Sequence, residues 1–381
     1  MIFHPPPLEA QEVDVIGQIH ELRAQLRWAV AERRRWTGVL RRMSLARAIQ
    51  GSNSIEGYNA SLEDAMAIAE GENPLEADTE TTAALNGYRQ AMTYVLQLSD
   101  DPHFGYSEDL LRSLHFMMMQ YDLSKGPGRY RPGFIYIRND ATGDVVYEGP
   151  GAERLPHLMS ELVANLESLN DSAELIRAAM AHLNLALIHP FRDGNGRMAR
   201  CLQTLVLSRE GILGPEFCSI EEYLGRNTKD YCDVLAQVGG GHWQPGNDSR
   251  PWVRFCLTAH YRQAWTLLRR VRESERLWEL LATEVGRRGM PERMIVALFD
   301  AASGFRVRNA TYRVGAEVSD QTASRDLKEL SDAGLLVPHG QRRGRHYMAN
   351  DSIKKLRAKS LDVKLPIEDP FSASARSRSE S

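Results

Sequence analysis

The chain is poor in the features that mark disulfide frameworks, membrane spans and polycationic surfaces. Its four cysteines, Cys201, Cys218, Cys232 and Cys256, are widely spaced and form no C-x-x-C pair. That argues against a zinc site and fits free thiols in a reducing cytoplasm. No apolar run approaches the roughly 20 residues that cross a bilayer, so no membrane partner is expected. The opening Met1-Ile2-Phe3-His4-Pro5-Pro6-Pro7 lacks the charged-then-apolar pattern of a secretory signal. Positive charge is not in excess either: the formal net charge is -3, so any nucleic-acid contact has to come from a local basic patch. No internal repeat is visible. What remains is 381 residues, 43% hydrophobic and 25% charged, the make-up of a soluble globular chain long enough for two or three domains.

Most of the chain carries helical periodicity. Val15, Ile19, Leu22 and Leu26 mark one apolar face within a helical region from about Glu12 to Leu98. Arg33, Arg34, Arg35, Arg41 and Arg42 on that run read as a solvated helix face. A helix from Ala46 to Ile55 stops at Gly57. Ser107 caps a helix through Met117-Met118-Met119, whose methionines read as core. Phe134 to Ile137 and Val145 to Tyr147, around the turn residues Asn139 to Asp144, predict a β-hairpin. Helices resume over Leu155–Leu169 and Ser172–Ile188, with Asp171 or Ser172 as cap, and a long one runs from Trp252 past Arg270.

Between two of these helices lies His189-Pro190-Phe191-Arg192-Asp193-Gly194-Asn195-Gly196-Arg197-Met198-Ala199-Arg200. Gly194 and Gly196 let the backbone turn tightly and approach a ligand. They stand at a helix start, where free N–H groups and the positive helix end suit a phosphate. Arg197 and Arg200 share a helix face at that same end, which suits a triphosphate better than a monophosphate. Asp193 supplies a hard oxygen for Mg²⁺ bridging phosphates. His189 can take a proton near neutral pH, and Phe191 is the apolar peg that fixes the loop. Each residue alone has an ordinary structural reading; the order of all of them together does not.

This segment resembles the Fic family motif, H-x-F-x-[DE]-G-N-G-R-x-x-R, at every fixed position, and the resemblance runs from about Ser107 to Leu257. The resemblance implies a mostly α fold, a helical core with a β-hairpin flap, and transfer of AMP from ATP, with Mg²⁺ or Mn²⁺, to a Tyr, Ser or Thr hydroxyl of a protein target. It makes His189 the general base and Asp193 the metal ligand. Gly194, Asn195 and Gly196 would hold the α- and β-phosphates, and Arg197 and Arg200 the β and γ. Gly128-Arg129-Tyr130-Arg131 and the hairpin ending at Tyr147 look like the family's flap over the target. Glu222-Tyr223 through Tyr231, with Trp243, look like its adenosine side, so Tyr223 and Tyr231 are nucleotide contacts. The family's phosphotransferase branch has lysine where this chain has its glycine–arginine pair. The flap end, Tyr147-Glu148-Gly149-Pro150, departs from the consecutive prolines of many members. Upstream, Ser52-Asn53-Ser54-Ile55-Glu56-Gly57 resembles the family's inhibitory motif, [ST]-x-x-x-E-[GN], which implies that Glu56, with Ser52, pairs with Arg200 and blocks the γ-phosphate site. His182, His103 and His115 read as structural.

The last hundred residues change character. A helix from Glu292, a second helical stretch, a helix capped by Ser319 that runs to Asp332, a stop at Gly334 and two short strands around an arginine-rich turn form a winged-helix pattern. Gln321, Thr322, Ser324 and Arg325 stand where a DNA reader places base contacts, with Arg342, Arg343 and Arg345 for phosphates. Asp320, Asp326, Glu329 and Asp332 make that helix far from basic, so DNA and protein both stand as partners. The expected organisation is an N-terminal helical region over 1–100, a catalytic core over 101–273, a winged helix over 274–360 and a disordered tail over 361–381. Two other functions stay open: a nucleotide-sensing DNA-binding regulator, for which an intact His189 is superfluous, and removal of AMP through the same residues. Self-modification and a homodimer also stand open.

Overall fold

The computed structural model describes residues 1–31, 36–138, 142–168, 173–211, 213–341 and 344–372. Arg33 to Arg35, the hairpin-turn residues Asn139 and Asp140 with Ala141, the cap candidates Asp171 and Ser172, Arg342 and Arg343, and the tail beyond 372 lie outside the described residues. The fold is mostly helical, as the periodicity predicts.

At the centre stand α7 (Glu174–Ile188) and α8 (Asn195–Ser208), packed on each other. Both are sealed from solvent, α7 from Ala178 to Ile188 and α8 from Arg197 to Ser208. A helix buried on every side is expected to be apolar all round; α7 nearly is, whereas α8 carries Arg197, Arg200, Gln203 and Thr204 inside. Around this pair lie α1 (Ala10–Ala31), α2 (Thr37–Ser54), α3 (Leu62–Ala69), α4 (Thr79–Leu98), α5 (Glu108–Met119) and α6 (Leu155–Glu167). The short α9 (Pro215–Cys218), α10 (Glu221–Arg226) and α11 (Thr228–Gly239) lead to α12 (Arg250–Arg287). The Ser107 hydroxyl caps α5 by accepting from the Leu110 N–H at 3.0 Å. The hairpin forms from β1 (Tyr136–Arg138) and β2 (Val145–Glu148), antiparallel, with Ile137 opposite Tyr147 and a bulge at Ile137/Arg138.

The expected boundary at 273/274 falls inside α12, which runs unbroken for 38 residues. Its apolar stripe explains the continuity: Leu267, Val271, Leu277, Leu281 and Val285 are all buried. Beyond it come α13 (Ile295–Ala302), α14 (Asn309–Gly315) and α15 (Asp320–Asp332), the antiparallel strands β3 (Leu336–His339) and β4 (His346–Ala349), and α16 (Asp351–Ser360). Val307 bridges Tyr347 through reciprocal backbone bonds of 2.9 and 2.8 Å, an isolated bridge beside the two-stranded sheet. This module docks on the N-terminal helices: Arg42 of α2 reaches Asp300 at 2.6 Å, and Arg308 reaches Glu72 at 2.6 Å. Residues 361–372, expected to be disordered, follow α12 instead. Asp362 pairs with Arg276 at 2.6 Å, and the Arg254 guanidinium lies 5.3 Å from the Phe371 ring.

Candidate active site at the start of helix α8

His189 ends α7 in the left-handed region, at φ 51° and ψ 58°, a conformation that non-glycine residues adopt only where the surroundings hold them. Its Nδ1 lies 3.1 Å from the Ala186 carbonyl oxygen. A carbonyl only accepts, so Nδ1 carries the hydrogen and Nε2 keeps its lone pair. Burial lowers the imidazole pKa below its ordinary value, against the opposing pull of the Ala186 bond and of Glu56. His189 is therefore neutral near pH 7, with Nε2 ready to accept a proton.

The loop that follows is braced from several sides. Asn195 accepts from the Phe191 N–H and donates to the Phe191 carbonyl, both at 2.9 Å. Its side chain thus braces the loop, and its backbone N–H stands at the helix start. Phe191 is fully buried and stacks on His115 with ring centroids 3.7 Å apart. His115 accepts from the Gly128 N–H at 2.9 Å and donates to the Asp193 carbonyl at 2.9 Å, and burial pushes its pKa down to about 4. It is structural, as expected, but the structure it supports is the site itself. Gly194 has φ 76°, and a Cβ there would meet Met119 Sδ at 2.9 Å. A Cβ on Gly196 would collide with the Glu56 carboxylate.

The two arginines differ in their partners. Arg200 is buried and fully engaged: Nε donates to Ser52 Oγ at 2.8 Å, and Nη2 donates to the Ser52 carbonyl at 2.8 Å and to Glu56 Oε1 at 2.6 Å. Nη1 lies 3.4 Å from the Tyr231 hydroxyl. Burial works against its charge, but the Glu56 carboxylate, helped by Tyr231 and Tyr88, more than offsets that and holds the guanidinium charged more firmly than usual. Arg197 is equally buried, yet among the described residues no carboxylate pairs with it. Its Nη2 sits 2.9 Å from Met119 Sδ, Tyr121 Oη is 3.4 Å away, Tyr58 lies beneath it at 5.1 Å, and its Nε is buried without a hydrogen-bond partner. A buried cation without an anion is costly. It stands beside the first N–H groups of α8, which have no partner within the helix.

Asp193 Oδ1 accepts from the Gly194 N–H at 2.6 Å, and Oδ2 faces Lys125 Nζ at 3.4 Å. Tyr231 is buried, its hydroxyl 3.0 Å from His182 Nε2. His182 is a satisfied core histidine, with Gln203 on its other nitrogen at 2.5 Å. Tyr223 accepts from Arg262 on α12 at 3.2 Å and lies against Phe255; among the described residues no hydrogen bond ties it to the loop before α8. Trp243 stands edge-on to Phe3, and its backbone N–H donates to the Glu148 carbonyl at 3.1 Å, so it meets the flap.

The family resemblance placed Arg131 in the segment that looks like the flap, without a role of its own. Its side chain donates to the carbonyls of His189 at 2.8 Å, Gly133 at 2.5 Å and Pro150 at 2.5 Å, and its own N–H donates to the Pro190 carbonyl at 2.9 Å. One buried side chain thus locks both ends of the hairpin to the entrance of the loop. Tyr147 adds a bond to the Leu187 carbonyl at 2.8 Å.

The second candidate surface is α15. Gln321, Ser324, Arg325 and Lys328 are exposed on it. Asp326 is not: it is buried and accepts from Arg293 at 2.7 and 2.8 Å and from the Tyr312 hydroxyl at 2.8 Å.

A glycine-rich helix start thus lies between two buried arginines and a neutral histidine. The chain carries a Fic domain: residues 105–207 match the model of the Fic/DOC family. A Nematostella vectensis protein named "Protein adenylyltransferase Fic" is 27% identical over 218 residues, which are 54% of this chain and 45% of that protein. The Aedes aegypti protein of the same name is 29% identical over 251 residues, 64% of this chain and 46% of that protein. The chain therefore spans a little under half the length of these curated relatives. A Fic family protein from Desulfovibrio desulfuricans G20 shares the fold at TM-score 0.59 and 24% identity, over 92% of this chain and 99% of that one. Among the described residues no helix is long and apolar enough to cross a membrane.

Proposed function

We propose that this chain is a protein adenylyltransferase that moves AMP from ATP to a Tyr, Ser or Thr hydroxyl of a target protein, itself included. The observation that carries the reading is the meeting, at one helix start, of a neutral His189 with Nε2 free and a buried Arg197 with no carboxylate of its own. The names of the relatives support it.

In the reaction, the target hydroxyl oxygen attacks the α-phosphorus as His189 Nε2 takes the hydroxyl proton. The bond from the α-phosphorus to the oxygen bridging it to the β-phosphate breaks, and pyrophosphate leaves with that oxygen. The N–H groups of Asn195, Gly196 and Arg197 hold the phosphates, and the guanidinium of Arg197 takes charge on the leaving side. Asp193 fits Mg²⁺ or Mn²⁺: its carboxylate is 32% exposed, with Oδ2 facing only Lys125. An ion there would be held by one carboxylate plus substrate phosphates. When bound, such an ion would neutralise charge on the leaving pyrophosphate.

In the same reading, Glu56 is a built-in inhibitor. It occupies Arg200 and stands over Gly196, where the terminal phosphate would lie, so transfer requires that the 2.6 Å pair open. The C-terminal module is a winged helix whose exposed face on α15 contacts a partner. Lys328 is paired with Asp332 at 2.7 Å and Glu329 is exposed, a balance that favours protein over DNA.

The test uses the Glu56→Gly variant in lysate with ATP labelled on the α- or the γ-phosphate. Label on protein from the α position alone supports AMP transfer. Label from the γ position would show phosphoryl transfer and overturn the reading.

A further inference from the structure

Where α2, α10, α12 and α16 meet, there is a cavity of about 290 Å³ that holds no residue of the phosphate loop. Six of its lining side chains are cationic: Arg47, Arg226, Arg269, Arg270, Arg357 and Lys364. Three carboxylates answer them, unevenly. Glu222 takes Arg270 at 2.5 and 2.7 Å and Arg226 at 2.7 Å, but Arg47 reaches it only at 3.5 Å. Glu273 lies 3.5 Å from Arg269 and 3.9 Å from Arg357. Asp362 is drawn away to Arg276 at 2.6 Å.

Arg47, Arg269 and Arg357 are thus left with long contacts and no hydrogen-bonded carboxylate among the described residues. The Nε atoms of Arg47 and Arg269 are buried without a hydrogen-bond partner. Burial, with the like charges of Arg270, Arg226 and Arg357, pushes the Arg47 pKa down to about 10 despite Glu222. Like charges gathered in a recess disfavour one another unless an anion joins them.

We propose that this cavity binds a phosphate-class oxyanion, either free inorganic phosphate or the phosphate of a small organic molecule, between the guanidinium groups of Arg47, Arg269 and Arg357. Planar guanidinium forks match phosphate oxygens two at a time. The volume suits a phosphate with few further atoms, being at the small end of ligand pockets. Lys364, exposed on the segment after α16, stands at the rim to add charge. An occupant would grip α2, the helix that carries Ser52, against α12 and α16.

The test is calorimetric titration of the full chain with inorganic phosphate and, in a second arm, with glycerol phosphate. Binding is expected to persist in Arg197→Ala, which cripples the nucleotide site. It should weaken by at least about tenfold when Arg269→Gln and Arg357→Gln are combined, while ATP affinity holds. Tighter binding of glycerol phosphate assigns the occupant to an organic phosphate, and tighter binding of inorganic phosphate to the free ion. Lys364→Glu, at an exposed position, should weaken binding several-fold with the fold intact, and decides the matter if the double variant fails to fold. No binding to the intact chain, binding lost in Arg197→Ala, or binding indifferent to the cavity substitutions would overturn the proposal.

Discussion

The helices α8 and α15 both begin with a run of polar residues, and they spend those residues in opposite ways. On α8, Asn195, Arg197 and Arg200 are buried, and each contact they make is with the site or its braces. On α15, Gln321, Ser324 and Arg325 face solvent. Burying two guanidinium groups is justified only if anions meet them. One anion is already present in Glu56; in the proposed function the other arrives as a ligand. The start of α15 carries no such obligation, so its residue types say little about its partner.

The sharpest break in this comparison is His189→Ala. Transfer should fall by about 10²–10⁴-fold, the usual share of a general base, while ATP affinity stays, because the imidazole is separate from the α8 N–H groups. Equal rates in the two proteins would remove His189 from the chemistry.

Asp193→Ala should raise the Mg²⁺ concentration needed for half-maximal rate at least about tenfold, the range seen when even outer partners of a metal site are lost. A rate indifferent to both this change and excess chelator would exclude the metal role.

The pH profile follows from the burial of His189. Its pKa is lowered, so the neutral, proton-accepting form persists below the ordinary histidine value. The acid limb of the rate should therefore lie below pH 6.5, falling about tenfold per unit beyond it. A limb centred above 6.5 would contradict the half-buried neutral base.

Arg325→Ala marks the other side of the comparison. Intrinsic transfer, read as self-modification, should stay within about twofold, and stability within about 0.5 kcal/mol, as for exposed substitutions. A large loss of self-modification would bring α15 into the active site.

The loop before α8 was legible because the phosphate chemistry proposed for it demands residue types that a sequence displays: glycines at a helix start, arginines one turn apart, a histidine before them. The Glu56–Arg200 contact spans 144 positions and was reachable only through the family resemblance, since spacing says nothing about partners that far apart. The locking contacts of Arg131, which the resemblance placed only within the flap segment, were hidden for another reason. Its partners are backbone carbonyls, and every residue has one. Asp326 was read as a charge opposing DNA, yet it lies on the same stripe as Ala323, Leu327 and Leu330, all buried; periodicity alone would have placed it inside. The length of α12 was missed because arginines and glutamates around Ser274 hide an apolar face that continues through Leu277 and Leu281. The run from 361 to 372 looked disordered by composition, but Asp362 and Phe371 each find an arginine on α12.

The central claim is that Glu56 and Arg200 form a latch on a competent active site. The most direct measurement compares the intact chain with Glu56→Gly at saturating Mg-ATP, reading α-labelled AMP on protein, self-modification included. The account predicts a clear rise in Glu56→Gly, because Arg200 is then free for the terminal phosphate and a charge-assisted bond roughly twice as strong as a neutral one is gone. The rise should vanish when Arg200→Ala is added. Equal labelling of the intact chain and Glu56→Gly would contradict the account and reduce the stretch from Ser52 to Gly57 to a helix end packed against a buried arginine.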